Sequence, residues 1–348
     1  MNILSICDPT RYSRPPLDVP TFYQHLSWDT RVNFYHVPVP NVFQAAGQLP
    51  RLNVALASGE LPYDAFVRLG DRADMSISLI DIDLVFCRTL KPFPPAYLDE
   101  LSSWEAWTRF VNRPSSKHEQ MRPDFLLAIA QDFIPDALIT SSWLEAQAFF
   151  DRHQVIVAKQ HNSCGGRGVY KIWYENHLFQ VNNILSGTRS FQSFAGVMQH
   201  LSPERLEPIQ FYRYLNRVDA GDKRVVVVDG EIYGSYLRRS KSGHWVNNVS
   251  ADGECTLADI TSDEVDAIHQ TVYHYQQLGL HTLGYDFLMD EDGTWRISEI
   301  NAGNIGGFAR LELLTGEPIM KRLLDWMITF ARRPASSMSY PTQMDCAS

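Results

Sequence analysis

The stretch GYDFLMDEDGTWRISEIN, close to the C-terminal end, constrains the fold more than any other part of the chain. Two apolar runs flank the pair Asp292-Gly293, and an Asp-Gly pair in this setting is a strong signal for a tight β-hairpin. With a two-residue loop, Asp286 lies directly opposite Glu299 on the partner strand. Asn301 follows Glu299 by two residues and therefore points to the same face. The sequence thus predicts three oxygen-bearing side chains at the open end of one strand pair.

These three side chains are candidate metal ligands. Two carboxylates that face each other across a strand pair repel unless a cation lies between them. Oxygen-only ligands suit Mg²⁺, which keeps water and substrate phosphates as its other ligands. We therefore predict a Mg²⁺ site at Asp286, Glu299 and Asn301, with Mn²⁺ as the second candidate ion. On this stretch alone, three solvated strand-end residues remain an open alternative.

A second motif, VIVAKQHNSCGGRGVYKI, predicts a phosphate-binding hairpin. Lys159 ends its first strand, and Gly165, Gly166 and Gly168 follow in the turn. Glycines let backbone N–H groups approach phosphate oxygens, and a lysine supplies a positive charge there. No GxxxxGK[ST] and no GxGxxG occurs, which excludes the Walker and dinucleotide-binding fingerprints. An ordinary glycine-rich turn remains the alternative.

The third motif, AGDKRVVVVDGEIYGSYLRR, predicts another hairpin with charged residues at one end. Asp222, Lys223 and Arg224 begin its first strand, while Arg238 and Arg239 close the second. The Asp-Gly turn between the strands brings both ends together. The motif therefore predicts a cluster of cations, with a solvated strand end as the alternative.

Bulk properties exclude several classes of protein. The 348 residues suffice for two or three domains, and the net charge of −9 does not favour nucleic acid or a membrane surface. We find no signal-like or membrane-spanning apolar run and no CxxC among the five cysteines. We also find no HExxH and no GxSxG motif. We expect a cytoplasmic protein without a nucleic-acid or membrane partner.

Helical patterns occur between these motifs. Thr261 and Glu264 form a capping-box pattern before an apolar stripe that ends at Gly279, which predicts a helix. A last helix is predicted from about Glu317 to Ala331. The opening MNILSICDP and the later DLVFCRT and FVNRP are predicted strands of a small α/β domain with a parallel sheet.

The order of the three motifs resembles the ATP-grasp superfamily, and within it the bacterial glutathione synthetases. AKQHNSCGGRGVYKI resembles their mobile glycine-rich loop, GDKRVVVVDGEIY their core strands, and NNVSADGE a stretch near their substrate loop. The resemblance covers most of residues 1–330 and implies an α/β (α+β) ATP-grasp fold. It divides the chain into a pre-ATP-grasp α/β domain, a central subdomain with the glycine-rich loop, a C-terminal subdomain with the metal site, and a flexible tail: 1–112, 113–208, 209–332 and 333–348.

The resemblance also implies a function. Such enzymes join a carboxylate to an amine by using ATP: the carboxylate takes the γ-phosphoryl group, and the amine then displaces phosphate from the acyl phosphate. Arg224 and Arg239 would be catalytic, at positions that match the family. The implied nucleotide contacts come from Lys159, the three glycines, Asp222 and the segment Arg213-Tyr214-Leu215, which matches the family's hinge whose backbone contacts the adenine edge. The implied substrate contacts come from Arg88 and Asn248.

Two departures from the family pattern leave the substrates open. Where the family has a phosphate-binding lysine, this chain has HEQMRPDF, with Lys117 or Arg122 as substitutes. After Glu-x-Asn it has AGNIGGF, where glutathione synthetases carry a Ser/Thr/Pro stretch. The product is either glutathione or an amide made by a tailoring ligase that acts on a peptide, a protein or a small acid. A small-molecule kinase and a nucleotide-binding regulator are further alternatives, and the expected assembly is a dimer or tetramer.

Overall fold

The computed structural model describes residues 1–14, 18–44, 50–160, 167–203, 208–240, 245–246 and 254–333. Gly165, Gly166 and Asn248, which the sequence predicts to lie in the site, fall outside these ranges, as does the tail from residue 334 onward. Within the described residues, no helix has both the length and the apolar character needed to cross a membrane.

The N-terminal sheet is mixed and not purely parallel as predicted. Its strands are β1 (Asn2–Cys7), β2 (Asn33–Pro38), β3 (Arg51–Ala57), β4 (Met75–Ser78), β5 (Leu84–Cys87) and β6 (Phe110–Val111). They lie in the order β4-β3-β2-β1-β5-β6, in which β1 is parallel to β2 and β5, whereas β3 is antiparallel to β2 and β4. The chain returns from β2 to β3 antiparallel, which needs no crossover over a face of the sheet. Because β1 lies between its two parallel neighbours, a crevice forms at the carboxyl ends of β1 and β5.

The N-terminal helices cover this sheet. They are α1 (Asp18–Trp28), α2 (Tyr63–Val67) and α3 (Tyr97–Trp104). Phe22 of α1 contacts Phe34 and Phe86 edge to face, with ring centroids 6.2 and 4.8 Å apart. The same core extends to the last helices of the chain, so the two ends of the sequence share one apolar interior.

A second sheet forms the middle of the chain. Its strands are β7 (Ala137–Thr140), β8 (Val155–Lys159), β9 (Val169–Glu175), β10 (Leu178–Asn183), β11 (Gly187–Phe191) and β12 (Ile209–Arg213), in the order β11-β10-β9-β8-β12-β7. The helices of this region are α4 (Lys117–Gln120), α5 (Phe125–Ala130), α6 (Trp143–His153) and α7 (Phe194–Leu201). β12 pairs with β7 and β8, although the predicted division assigns it to the C-terminal subdomain.

The third sheet carries the predicted metal hairpin. Its strands are β13 (Asp222–Val228), β14 (Glu231–Arg239), β15 (Glu254–Leu257), β16 (Thr282–Met289) and β17 (Trp295–Asn301), in the order β15-β14-β13-β16-β17. The remaining helices are α8 (Ser262–Gln277), α9 (Phe308–Thr315) and α10 (Ile319–Ala331). The predicted capping box at the start of α8 is confirmed, because Thr261 and Glu264 each accept a hydrogen bond from the other's backbone N–H.

Both faces of β13 are buried, which explains its continuous run of valines. Val225 and Val227 pack in the core that contains α8, whereas Val226 and Val228 pack in the core that contains α9 and α10. A strand covered on both faces needs apolar side chains at every position and not at alternate ones. This central strand therefore anchors the charged residues at its own start.

Asp229, in the turn after β13, ties the end of α10 to the third sheet. Its carboxylate accepts hydrogen bonds from His281 Nδ1 at 2.9 Å, Arg333 Nη2 at 2.7 Å and Trp326 Nε1 at 3.3 Å. Burial alone would raise the pKa of Asp229, but the hydrogen bonds from His281 and Arg333 outweigh it and lower the pKa well below its usual range. Hydrogen bonds to a charged group of this kind each contribute about 1.5–3 kcal/mol.

We expect Asp229→Asn to lower the free energy of unfolding by about 2 kcal/mol at neutral pH. A carboxylate with a depressed pKa stabilises the fold above its unfolded pKa and loses that effect as the pH falls through its folded pKa. The difference between wild type and variant should therefore shrink in acid. Urea unfolding at neutral pH and near pH 3 would measure it, and a difference that is the same at both pH values would contradict the assignment.

Candidate active site

The β16–β17 hairpin, here called the acidic hairpin, places Asp286 opposite Glu299 as predicted. The predicted two-residue loop is wrong, however. Asp290 N donates to Thr294 O at 2.8 Å, so the loop has three residues, with Gly293 at φ +87°. An extra residue in β17, Ser298, then forms a bulge that restores the pairing. The two deviations cancel at the site.

Asp286 is the centre of a charged cluster on the face of this sheet. It is 2% exposed, and it accepts hydrogen bonds from Arg224 Nε at 2.5 Å and Arg224 Nη2 at 2.8 Å. Arg238 Nη2 donates to it at 2.7 Å and Asn301 Nδ2 at 3.1 Å. Burial alone would raise the pKa of Asp286, but the two arginines outweigh it and lower the pKa. Asp286 is therefore held as a carboxylate, which is the form that binds a metal ion.

Glu299 and Asn301 lie beside this cluster, and their side-chain oxygen atoms take no part in the contacts with Asp286. Glu299 is exposed, and Asn301 uses its Nδ2 for Asp286, which leaves the Oδ1 out of that contact. Lys159 Nζ donates to the carbonyl oxygen of Ser298 at 2.8 Å, so the lysine of the second sheet reaches the acidic hairpin. Burial lowers the pKa of Lys159, while the charges of Glu299 and Asp286 raise it. The structure thus brings the predicted lysine and the predicted metal ligands together.

The donor set fits Mg²⁺. It consists of two carboxylates and one amide oxygen, the hard ligands that this ion prefers. Within the described ranges, three His, Cys, Asp or Glu side chains do not converge on one point, so no softer or all-carboxylate centre competes with this set there. Because four hydrogen bonds now saturate Asp286, its ligand role would require Arg224 or Arg238 to give up part of its contact.

Arg238 belongs to this cluster, in agreement with the cation cluster predicted at this strand end, although the predicted catalytic arginines were Arg224 and Arg239. Its Nη2 lies 2.7 Å from both Asp222 Oδ2 and Asp286 Oδ1. An extra residue in β14, Tyr233, shifts the register so that Arg238 faces Asp222. Gly234, at φ +147°, follows that bulge, and a glycine inside a strand was the one sequence signal for it.

Asp222 has an unusual carboxyl group. It is 5% exposed, its Oδ2 binds Arg238, and its Oδ1 has no hydrogen-bond partner among the described residues. Burial raises its pKa to about 6, against the opposing charge of Arg238. Asp222 therefore takes up a proton more readily than an exposed aspartate does.

Arg239, the other predicted catalytic arginine, does not join the cluster in this structure. It is exposed, and its Nε donates to the carbonyl oxygen of Ala220 at 3.3 Å. Arg224 and Arg239 are therefore not brought together, and the catalytic role of Arg239 stays a prediction.

The predicted adenine-binding segment connects the second and third sheets. Arg213 forms a two-point ion pair with Asp290, with N–O distances of 3.0 and 2.7 Å, so its side chain is committed to the acidic hairpin. Tyr214 presents its ring to Lys171, whose Nζ lies 3.8 Å from the ring centroid. Leu215 is buried. That the backbone of this segment contacts the adenine edge stays a prediction.

The predicted glycine-rich tip joins β8 to β9, which pair antiparallel as expected. Gly168 is described, and its carbonyl oxygen accepts from Gln160 N at 2.8 Å. Gly165 and Gly166 lie outside the described residues, so the phosphate-binding role of this tip stays a prediction.

Residues 302–307, here called the junction loop, follow the acidic hairpin and contact the N-terminal domain. Asn112 Nδ2 donates to the carbonyl oxygens of Ala302 at 2.7 Å and Thr282 at 2.8 Å, while its Oδ1 accepts from the backbone N–H groups of His281 and Thr282. One buried asparagine therefore holds both strands of the acidic hairpin in place. The local sequence FVNRP does not predict this role.

Arg88, the predicted substrate residue, holds the same loop from the crevice of the N-terminal sheet. It is 2% exposed, and its Nη2 donates to the carbonyl oxygen of Ile305 at 2.7 Å. Its Nε and Nη1 have no hydrogen-bond partner among the described residues. A buried guanidinium with two nitrogen atoms free to donate is well suited to a carboxylate.

The two substitutes for the family's phosphate-binding lysine lie in different environments. Lys117 is buried and donates to the carbonyl oxygen of Ala302 in the junction loop. Arg122 has a side chain that is 54% exposed and pairs with Glu119 and Asp124 on the surface. Lys117 therefore contacts the residue that directly follows the acidic hairpin, through a backbone carbonyl, whereas the contacts of Arg122 are with surface carboxylates.

Comparison with known proteins agrees with this geometry. The family described as "Prokaryotic glutathione synthetase, ATP-grasp domain" matches residues 125–316, which is more than half of the chain. A glutathione synthetase of Nostoc sp. is 22% identical over 310 residues, 87% of this chain and 88% of the relative. A glutathione synthetase of Gloeobacter violaceus is also 22% identical and covers 95% of this chain and 98% of its own length.

The fold is also shared with solved structures. A RiPP-associated ATP-grasp ligase of Chryseobacterium gregarium, solved in complex with ADP and a leader and core peptide, superposes with a TM-score of 0.58 at 16% identity, covering 96% of this chain and 98% of that one. At this identity the likeness concerns the fold alone. It agrees with the predicted α/β ATP-grasp architecture.

Proposed function

The chain belongs to the prokaryotic glutathione synthetase family of ATP-grasp domains and is an ATP-binding C–N ligase, and from this we propose that it joins a carboxylate to an amine through an acyl phosphate. The observation that carries the proposal is the meeting of Lys159 with Asp286, Glu299 and Asn301 at the open end of the acidic hairpin. The phosphates of ATP would therefore contact a lysine and an oxygen-rich metal site at the same end of the hairpin.

We further propose Mg²⁺ as the resident ion, held by Asp286, Glu299 and Asn301. When bound there, Mg²⁺ would neutralise the negative charge that develops on the transferring phosphoryl group. Arg224 and Arg238 lie on the same face and would stabilise the transferred phosphoryl group once part of their contact with Asp286 is released. Lys159 would orient the phosphates from the second sheet.

The acid substrate would enter from the N-terminal crevice. Arg88 supports this direction, because its Nε and Nη1, which have no hydrogen-bond partner among the described residues, lie at the carboxyl end of β5 beside the junction loop. Acid and amine would then meet over the acidic hairpin, where water must be excluded to protect an acyl phosphate. We propose a peptide or small-molecule acid, a cytoplasmic location and a homo-oligomeric assembly.

Glutathione synthesis and peptide tailoring are the two candidate forms of this activity. The relatives named glutathione synthetase support the first. The junction loop supports the second, because AGNIGG departs from the family pattern in the segment that follows the metal ligands. The two forms differ in the acid and the amine, and not in the chemistry of ATP.

A coupled assay of ADP release tests the proposal. We expect ADP release that requires Mg²⁺, an acid and an amine together, with the amide detected by mass spectrometry. Candidate pairs are γ-glutamylcysteine with glycine, and glutamate-containing peptides with amino acids. ADP release with a hydroxyl acceptor and no amide product would instead show a kinase, and nucleotide binding without turnover on any pair would contradict the ligase.

A further inference from the structure

Lys117 is a buried cation without a buried anion beside it. It is 7% exposed, and its Nζ donates to two neutral acceptors, the carbonyl oxygen of Ala302 and Gln120 Oε1 at 3.3 Å. Among the described residues, no carboxylate forms an ion pair with it. Burial of an ammonium ion in this way is unfavourable unless a counter-charge is present.

The neighbouring thiol cannot act as that counter-charge. Burial raises the pKa of Cys87 to about 12, so the thiol stays neutral at physiological pH. Burial, together with the nearby charge of Lys91, lowers the pKa of Lys117 to about 7. The surroundings of Lys117 therefore disfavour its charged form, and an anion bound beside it would stabilise that form.

A small cavity lies at Lys117. Its volume is about 30 Å³, and its lining includes Cys87, Tyr97, Leu101, Lys117, Gly303 and Asn304. The space suits one carboxylate group or roughly two water molecules. A Cβ atom at Gly303 would lie 3.6 Å from Lys117 Nζ, so the missing side chain keeps this approach to the ammonium group open.

The position of the cavity links it to the active site. Gly303 and Asn304 in its wall follow Asn301, the last predicted metal ligand, by two and three residues. The opposite wall comes from the end of β5 and from α3 of the N-terminal domain. A molecule anchored in the cavity would therefore have its other end close to the acidic hairpin.

We propose that this cavity binds a carboxylate group of one of the two substrates, with the carboxylate paired to Lys117 and the rest of the molecule passing over Gly303. The carboxylate bound in the cavity takes no part in the reaction. The substrate is therefore an acid with a second carboxylate group, or an amino acid whose carboxylate does not react. Identifying the ligand as a substrate rests on the proposed ligase function, whereas the presence of a carboxylate site does not.

Thermal unfolding with small probes tests the site directly. Butyrate serves as the carboxylate, butyramide as its neutral match and inorganic phosphate as the alternative anion, all at equal ionic strength near neutral pH. At about 20 mM we expect butyrate to raise the Tm by about 2 °C or more, with no shift from butyramide or phosphate. A phosphate shift without a butyrate shift would overturn the carboxylate assignment, as would equal shifts from butyrate and butyramide.

The variant Lys117→Met removes the charge and keeps much of the side-chain volume. It should fold, because Ala302 O still accepts from Asn112 and a buried charge is lost. We expect it to lose the butyrate shift, whereas Lys321→Met, on an exposed face of α10, should keep it. A butyrate shift that persists in Lys117→Met would overturn the proposal.

A measurement on the wild type covers the case in which the variant does not fold. Carboxylate binding raises the pKa of Lys117, so calorimetry in two buffers of different ionisation enthalpy should show proton uptake near neutral pH. No uptake would overturn the proposal. The ligase assay is independent: turnover without butyrate binding rejects this site alone, and butyrate binding without turnover on any substrate pair rejects the ligase alone.

Discussion

Glu299→Gln is expected to abolish most of the Mg²⁺-dependent turnover while leaving the fold intact. The carboxylate is exposed and forms no recorded ion pair in the described chain, so its removal should change the free energy of unfolding by less than about 0.5 kcal/mol. A metal ligand contributes several kcal/mol of transition-state stabilisation, which corresponds to a loss on the order of 100-fold or more in kcat. Steady-state ADP release across a Mg²⁺ titration, together with urea unfolding, measures both effects.

Glu291→Gln is the matched control for this variant. Glu291 is an exposed glutamate in the loop of the same hairpin, away from the open end, where Asn216 donates to it. The control should keep wild-type Mg²⁺ dependence. Wild-type turnover in Glu299→Gln would remove Glu299 from the metal site, and loss of the fold in that variant would show that the residue is structural.

Asp286→Asn should differ from Glu299→Gln by destabilising the protein as well as inactivating it. The substitution removes the shared counter-charge of Arg224 and Arg238, whose side chains are 9% and 15% exposed. Breaking a buried ion pair by removing one partner costs about 3–5 kcal/mol, because the remaining charge is left uncompensated. Asp222 still faces Arg238, so we expect about 3 kcal/mol, measured by urea unfolding at neutral pH.

The pH dependence gives this prediction a second measurement. The pKa of Asp286 is lowered in the folded state, so its contribution is present above the unfolded pKa and disappears as the pH falls through the folded pKa. The stability difference between wild type and Asp286→Asn should therefore narrow in acid. Asp292→Asn, in the exposed hairpin loop, is the control and should change stability little. Equal stability of wild type and Asp286→Asn at neutral pH would contradict the buried-pair interpretation.

The acidic hairpin shows how far local patterns reach. The Asp-Gly pair and the apolar runs predict two strands with Asp286 opposite Glu299, and the structure confirms that pairing. The loop length was wrong by one residue, and the bulge at Ser298 compensated for it. A bulge depends on contacts outside the strand, such as the hydrogen bond from Ser298 Oγ to the carbonyl oxygen of Asp286 at 3.1 Å, and these have no local signature.

In the β13–β14 hairpin the prediction fails in the strand and not in the turn. Its turn was predicted correctly, but the bulge at Tyr233 selects Arg238 as the partner of Asp222 and Asp286. Because side chains alternate along a strand, one extra residue changes which of two adjacent arginines faces the cluster. The sequence offered both arginines, and Gly234 inside the strand was the single indication of the bulge that selects between them.

Local periodicity and capping signals were enough to predict the elements that carry them. The order of the three motifs was enough to predict the family. α8 is the clearest case, since Thr261 and Glu264 satisfy its first backbone N–H groups whatever surrounds the helix. Tertiary structure alone decided the contacts between distant segments: Asn112 across the acidic hairpin, Arg88 and Lys117 on the junction loop, and Arg238 on Asp286. The reason is that burial, not neighbouring residues, gives these polar groups their partners and their strength, and burial is a property of the whole fold.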